Sequence, residues 1–170
     1  MQANNTKVQV TGRPLTADEQ AKFSSTIKVA FKHLTTANVE SSPDIVVAAI
    51  DDRLRKFKVD QKGIMNKLFK RGPQVSANDL TNTLGILWGS QLVDRFHWVW
   101  MELDDGSKKA MAVASPDYSF ALYPQAHIRR YLAGEEMESA ILASYRSIAS
   151  DRTPVPTPGE FKDIMTAFRR

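Results

Sequence analysis

Three histidines and several acidic and hydroxyl side chains are the residues of this 170-residue chain whose types could support metal binding or catalysis. His33, His97 and His127 stand far apart in the sequence and form neither an H-x-x-x-H nor an H-E-x-x-H pair, the spacings that bring two imidazoles to one metal ion. The chain has no cysteine, which removes thiolate ligands, thiol nucleophiles and disulfides. The sequence therefore predicts no metal site and no cofactor.

Nucleophilic and acid–base catalysis lack a local signature. Ser115, Asp117 and His127 could be imagined as nucleophile, acid and base, but no G-x-S-x-G elbow surrounds the serine. The serine and the aspartate flank a proline, which is typical of a turn. Glu102 and Asp104 share one face of a predicted strand, beside a hairpin tip where paired carboxylates are simply solvated. We therefore predict no catalytic residue, and a protein that is not an enzyme is favoured.

A basic segment from Arg53 to Arg71 holds eight lysines and arginines against one acid, with Phe57 and Phe69 interleaved. Cations that contact phosphates beside stacking aromatic rings would form a nucleic-acid surface. The interpretation we favour is a helix with a basic solvent face and an apolar stripe that contains both phenylalanines. The net charge of +4 is small for a dedicated nucleic-acid binder.

All three tryptophans lie in LGILWGSQLVDRFHWVW, residues 84–100. Its first half reads as a helix in which Gly85 and Gly89 are one turn apart. Small residues at this spacing allow close packing against another element, which we favour, or close approach to a ligand.

The second half of that stretch changes to a period of two, so that Trp98, Trp100 and Glu102 share one side of a strand. Val99, Met101 and Leu103 share the other side, which we expect the helices to cover. Another segment then either covers the two indoles, or they form an exposed aromatic patch for a protein partner.

A pocket between the sheet and the helices is a further possibility. Tyr118, Tyr123, His127 and Arg129 follow the second predicted turn and would converge there. A few polar groups around an apolar cavity are typical of a small-molecule site, including that of a hydrolase.

Capping and turn signals place these residues on elements. Capping boxes at Thr16 and Ser76, and the Ser42-Pro43 pair, mark helix starts. Helices are predicted over about residues 17–34, 43–58, 64–69, 77–92, 124–132, 135–148 and 160–168, and strands over 97–103, 109–114 and 119–123. Three glutamates, Glu135, Glu136 and Glu138, are expected in the first turn of the sixth helix, where the helix dipole favours negative charge.

This order predicts an α+β fold with a helical N-terminal part, in which a three-stranded antiparallel meander packs against several helices. We expect a flexible lead-in over residues 1–15, one domain over 16–150, and a proline-rich segment with a short helix over 151–170. The sequence shows neither a membrane span nor a secretory signal. A cytoplasmic location is therefore expected, or a periplasmic one if a signal peptide has been trimmed.

Residues 76–136 resemble a bacterial family of small domains of unknown function. The resemblance rests on the helix LGILWGSQLVDRF, the strand HWVWMEL and the segment SPDYSFALYPQAHIRRYLAGE. It implies a bacterial α+β domain and brings no activity with it. Because catalytic signatures are missing, our favoured hypothesis is a domain that binds a protein partner through Trp98, Trp100 and Glu102, as an immunity or adaptor protein would. Small-molecule binding and nucleic-acid binding are the alternatives.

Overall fold

The computed structural model describes residues 10–62, 75–136, 138–153, 155 and 157–167, which form an α+β fold. The helices are α1 (Ala17–Ala21), α2 (Phe23–Lys32), α3 (Pro43–Lys62), α4 (Ala77–Phe96), α5 (Pro124–Ala133), α6 (Ile141–Ala149) and α7 (Ile164–Ala167). The strands are β1 (Thr11–Pro14), β2 (Val99–Asp104), β3 (Lys109–Ala114), β4 (Phe120–Leu122) and β5 (Lys162–Asp163).

The sheet of the described residues has five strands in the order β1-β2-β3-β4-β5, with β5 parallel to β4 and every other pair antiparallel. The expected three-stranded meander forms the centre of this sheet, and the expectation missed the two edge strands. Strand β1 lies within the stretch expected to be a flexible lead-in, and β5 lies within the expected last helix. Both edge strands are short and lack alternation, so their pairing depends on the meander beside them.

The predicted helix starts at Thr16 and Ser76 are confirmed. Thr16 Oγ1 accepts a hydrogen bond from the Glu19 amide at 3.3 Å, and the Glu19 carboxylate accepts one from the Thr16 amide at 2.7 Å. Ser76 and Asp79 form the same reciprocal pair at the start of α4. The first predicted helix is divided at Lys22 into α1 and α2, because the chain leaves regular helical bonding there.

Helix α4 lies at the centre of the fold, and its two glycines allow the close packing that the sequence predicts. A Cβ atom added to Gly89 would lie 2.3 Å from Cη2 of Trp100, and one added to Gly85 would lie 2.6 Å from Cγ of Gln125. Real Cβ atoms essentially never approach a neighbour so closely. The glycines therefore seat α4 against strand β2 and helix α5.

The helices cover the side of the sheet that contains the indoles, opposite to our expectation. Trp98 and Trp100 are 5% and 3% exposed and belong to the main core, where the Phe23 ring lies 4.9 Å from that of Trp100. Met101 and Leu103 instead join a smaller cluster on the other side, together with Ala112, Ala114 and Ala121. Alternation divides a strand's residues between two sides, but it does not say which side the helices will cover.

Two further expectations differ from the structure. His97 ends α4 in the left-handed region, with φ of 58°, and so precedes the strand. The glutamates near residue 136 precede α6, which begins at Ile141 after Ala140, itself left-handed. The predicted helix over 64–69 lies outside the described residues. The helix predicted from Pro124 is confirmed, and it ends at Gly134 with φ of 86°.

Candidate functional site

A cavity of about 240 Å³ lies beside the β2–β3 hairpin, and we call it the hairpin cavity. Strand β4 pairs only with Val113 and Ala114, so the beginning of β3 has no strand neighbour on that side among the described residues. Helix α5 starts just after β4 and passes this gap. The cavity is lined by Leu103, Asp105, Lys108, Ala110, Tyr123, Ala126, Arg130 and Asp163.

Asp105 supplies a fixed negative charge at the hairpin side of the cavity. Its Oδ1 accepts hydrogen bonds from the amides of Ser107 at 2.9 Å and Lys108 at 3.0 Å, and from the Ser107 hydroxyl at 2.6 Å. The hydroxyl and the two amides lower the pKa of Asp105 to about 2. The carboxylate is therefore ionised at any physiological pH, and the turn itself holds it in place.

Tyr123 presents an un-ionised phenol to the cavity. Burial raises its pKa above the usual value, and the negative charges of Asp163 and Asp105 raise it further. Both carboxylates are thus close enough to influence the phenol electrostatically. Asp163 lies on β5, where its Oδ1 accepts a hydrogen bond from the Met165 amide at 3.0 Å.

Arg130 and Lys108 supply positive charge to the same cavity. Arg130 Nε lies 3.2 Å from Oε1 of Glu136, an ion pair without hydrogen-bond geometry. Within the described part of the chain, neither the Nη atoms of Arg130 nor the Lys108 Nζ has a hydrogen bond or an ion pair. These donors are available to a ligand.

A buried polar cluster supports Arg130 from the protein interior. Glu136 Oε2 lies 3.3 Å from Nδ1 of His127, and Lys58 Nζ donates to the main-chain oxygen of Glu136 at 2.8 Å. His127 Nε2 contacts the main-chain oxygen of Ser139, and the Ser139 hydroxyl donates to Asp51. The imidazole therefore does not activate the Ser139 hydroxyl, which the Asp51 carboxylate already holds.

The structure brings one of the four predicted pocket residues to this site. Tyr123 lines the hairpin cavity, whereas His127 is 1% exposed and points into the buried cluster. Tyr118, at φ of 59°, stacks on Phe161 with ring centroids 5.5 Å apart. Arg129 is exposed on α5 outside the cavity.

Sequence reasoning selected Arg129 where its neighbour Arg130 lies in the cavity, and it missed four lining residues that carry charge. Helical periodicity could have identified Arg130, because Ala126 and Arg130 are one turn apart and share a face of α5. No local signal could have joined Asp105 and Lys108 on the hairpin to Asp163, which lies more than fifty residues later.

Of the three predicted partner-binding residues, only Glu102 reaches the surface. Its carboxylate pairs with Arg13 at 3.4 Å and Lys109 at 3.5 Å. It borders a second, more open cavity of about 280 Å³ whose lining includes Leu15 and Phe23. Trp98 and Trp100 are covered by the chain itself, so the exposed aromatic patch is excluded and the indoles are core residues.

The turn interpretation of Ser115 and Asp117 is confirmed. The Ser115 hydroxyl donates to Asp117 Oδ1 at 2.8 Å and accepts from the Phe120 amide at 3.0 Å. The Ser119 hydroxyl is the main cause that lowers the pKa of Asp117. Across the described ranges, no group of three histidine, aspartate or glutamate side chains could hold a metal ion.

Three cations in the described part of the basic segment make contacts within the protein. Arg55 pairs with the buried Asp51, and Lys56 Nζ lies 2.7 Å from a carboxylate oxygen of Asp52. The Lys58 ammonium lies 4.0 Å from the ring centroid of Tyr131. The remainder of the segment, including Phe69, lies outside the described residues. None of the helices that the structure describes combines the length and the apolar composition of a membrane span.

Comparison with known proteins finds one family and no individual relative. Neither the curated proteins nor the solved structures contain a match. Residues 56–142 match a family model described as Domain of unknown function (DUF3806). The match extends from the second half of α3 to the start of α6. It includes Asp105, Lys108, Tyr123 and Arg130 of the hairpin cavity, and Asp163 lies beyond it. The resemblance to a small domain family of unknown function is thereby confirmed, and the chain belongs to the DUF3806 family.

Proposed function

We propose that this domain binds a small polar molecule in the hairpin cavity. The observation that carries the proposal is the cavity lining, in which the uncommitted donors of Arg130 and Lys108 stand with two carboxylates and a phenol around an apolar floor. A few polar groups in a largely preformed concave site are the usual composition of a ligand pocket. The volume of about 240 Å³ lies just below the common range, so the ligand is small.

Binding without a covalent step is the form of function that this lining supports. A nucleophile needs an adjacent base within hydrogen-bond reach. Among the described residues that line the cavity, no hydroxyl or amine is hydrogen-bonded to a histidine or carboxylate base. The hydrolase form of this hypothesis therefore has less support than simple binding.

The other two functional hypotheses remain predictions with weaker support. Protein binding through Trp98 and Trp100 lacks the exposed surface that it required, so a partner, such as the target of an immunity or adaptor protein, would need another face. Nucleic-acid binding has weaker support because Arg55 and Lys56 pair with carboxylates of the same helix and Lys58 lies over the Tyr131 ring. A bacterial source and a cytoplasmic location stay part of the proposal, on the sequence arguments alone.

The test places a tryptophan inside the cavity and, as a control, at a matched position of the same helix outside it. Ala126 is exposed on α5 and lines the cavity, and Ala133 is exposed two turns later outside it. Purified wild type, Ala126→Trp and Ala133→Trp are screened by thermal shift against amino-acid-sized anions, cations, zwitterions and neutral polar compounds.

We expect at least one compound to raise the Tm of wild type and of Ala133→Trp, but not that of Ala126→Trp. At a concentration of 100 Kd, stabilisation of about 2.7 kcal/mol corresponds to roughly 5–10 °C. The proposal is wrong if no compound stabilises the protein, or if Ala126→Trp responds as strongly as wild type.

A further inference from the structure

We infer that the Asp105–Gly106 bond in the β2–β3 hairpin is a site of spontaneous isomerisation to isoaspartate, which Asp104 and Ser107 slow by holding both reacting groups in hydrogen bonds. Of the eight glycines in the sequence, Gly106 is the one that follows an aspartate or an asparagine. The inference concerns a covalent change of the main chain, and it does not depend on the proposed ligand.

The reaction is an internal acyl substitution at the Asp105 side chain. The Gly106 nitrogen bonds to Cγ and loses its proton, one carboxyl oxygen leaves as water, and a five-membered succinimide forms. Solvent water then opens the ring, and attack at the main-chain carbonyl leaves the chain running through the former side chain. One water is lost and one is gained, and nothing is oxidised or reduced. A glycine has no Cβ that would hinder the approach of its nitrogen.

The nucleophile, the Gly106 nitrogen, is already engaged in the folded protein. Its N–H donates to Oδ1 of Asp104 at 2.8 Å, so this carboxylate is not simply solvated. The nitrogen develops negative charge as it loses its proton, and an adjacent carboxylate disfavours a second negative charge. Gly106 also has φ of 82°, the left-handed conformation typical of hairpin turns. Asp104 therefore holds the amide and raises the barrier to its attack.

The electrophile, Cγ of Asp105, belongs to a carboxylate that the same turn keeps ionised. Oδ1 accepts hydrogen bonds from the Ser107 amide at 2.9 Å, the Ser107 hydroxyl at 2.6 Å and the Lys108 amide at 3.0 Å. The Ser107 hydroxyl is the main cause that lowers the pKa of Asp105 to about 2. An ionised carboxylate reacts slowly, because the departing oxygen must first be protonated. Ring closure also removes the charge that strengthens these hydrogen bonds.

Isomerisation would change the hairpin and the cavity beside it. Isoaspartate adds one methylene group to the main chain, inside a turn that joins the directly paired Asp104 and Lys109. Asp105 and Lys108 both line the hairpin cavity, so a longer turn displaces both of them. The restraint on this bond therefore preserves the shape of the candidate site.

The experiment compares the full chain with a blocked peptide of residues 103–110, in which no fold restrains the bond. Wild type, Asp104→Ala, Asp104→Asn and Ser107→Ala are incubated at neutral pH in water labelled with heavy oxygen. Each ring opening inserts one labelled oxygen at Asp105, which peptide mass spectrometry measures. Methylation by an isoaspartyl methyltransferase identifies the isomerised product.

Glu102→Ala is the matched control. It removes a carboxylate from the same strand, and Glu102 has no hydrogen bond to Gly106. Thermal unfolding followed by circular dichroism shows which variants remain folded during the incubation. If one variant unfolds, the variants that remain folded decide the result.

We expect the peptide to isomerise and wild type to do so at least about tenfold more slowly, the ratio that one hydrogen bond to a charged group provides. Asp104→Ala and Ser107→Ala should each accelerate the reaction several-fold. Asp104→Asn should lie between Asp104→Ala and wild type, because the amide oxygen can still accept the Gly106 N–H. Glu102→Ala should keep the wild-type rate.

Several results would overturn the inference. The bond is not a modification site if the peptide forms no isoaspartate, and the fold does not restrain it if wild type reacts as fast as the peptide. The assigned restraint is wrong if folded Asp104→Ala or Ser107→Ala keeps the wild-type rate, or if Glu102→Ala accelerates the reaction as much as Asp104→Ala. A slower reaction in Asp104→Ala would mean that the carboxylate acts as a base on the amide, the opposite of its assigned role.

Discussion

Substitution of Gly89 by alanine tests whether close contact between α4 and Trp100 organises the core. The added Cβ would lie 2.3 Å from Cη2 and 2.4 Å from Cζ2 of the indole, against an ordinary contact distance of 3.4–4 Å. Trp100 cannot simply withdraw, because the ring of Phe23 packs against it at 4.9 Å. The substitution therefore requires a shift of about 1 Å in a filled region, in line with the cost of overpacking.

Two opposing free-energy terms decide the sign of the effect. Alanine gains about 1 kcal/mol over glycine in a helix interior. Overpacking a well-packed core costs about 1–3 kcal/mol. Because the overlap involves a rigid, buried ring, we expect the upper part of that range, and a net loss of about 1–2 kcal/mol in the free energy of unfolding. For a chain of this size the loss corresponds to a decrease in Tm of roughly 2–8 °C.

A double-mutant cycle with Trp100→Phe separates the two terms. Phenylalanine lacks the Cζ2 and Cη2 atoms that the new Cβ would meet. In that background Gly89→Ala should therefore be neutral or stabilising by up to about 1 kcal/mol. Urea unfolding followed by circular dichroism measures all four proteins. Asn82→Ala, at an exposed position of α4, is the control and should have the same small effect in both backgrounds.

The reasoning is refuted if Gly89→Ala stabilises the protein that retains Trp100. It is equally refuted if the effect of Gly89→Ala is the same with phenylalanine at position 100. Either result would mean that the helix and the strand separate at little cost, and that the glycine is not required for their packing.

Three further predictions concern local electrostatics and capping. Ser76→Ala removes the hydroxyl that accepts the Asp79 amide at 3.0 Å and should lower the free energy of unfolding by about 1 kcal/mol in urea titrations. The pKa of Asp105, near 2 in the folded protein, lies below its unfolded value. Its stabilising contribution is therefore complete above about pH 4 and is lost as the pH falls through about 2. Carboxyl NMR titration measures this pKa, and Asp105→Asn should remove that part of the acid dependence. Burial raises the pKa of Tyr145 to about 12, so its contribution to stability should be lost as the pH rises from about 10 through 12. A Tyr145→Phe protein that kept the same alkaline loss would contradict this assignment.

The sequence determined the features that depend on neighbours within a few residues. The capping boxes at Thr16 and Ser76 and the turn at Ser115 each join groups at most five positions apart. The alternation after His97 likewise fixed that Trp98 and Trp100 share a side. The glycine spacing in α4 correctly indicated a close-packed helix. These features follow from backbone geometry and local hydrogen bonding, which short stretches of sequence contain.

Only the tertiary structure decided which side of the sheet the helices cover, and hence that the indoles are buried. It also decided that β1 and β5 add to the meander, because strand pairing joins residues far apart in the chain. Glu136 was expected in the first turn of a helix, but its contacts with His127, Arg130 and the distant Lys58 turn it inward. The hairpin cavity depends on the same non-local contacts. Its charged residues come from a turn, a helix and an edge strand that only the folded chain brings together.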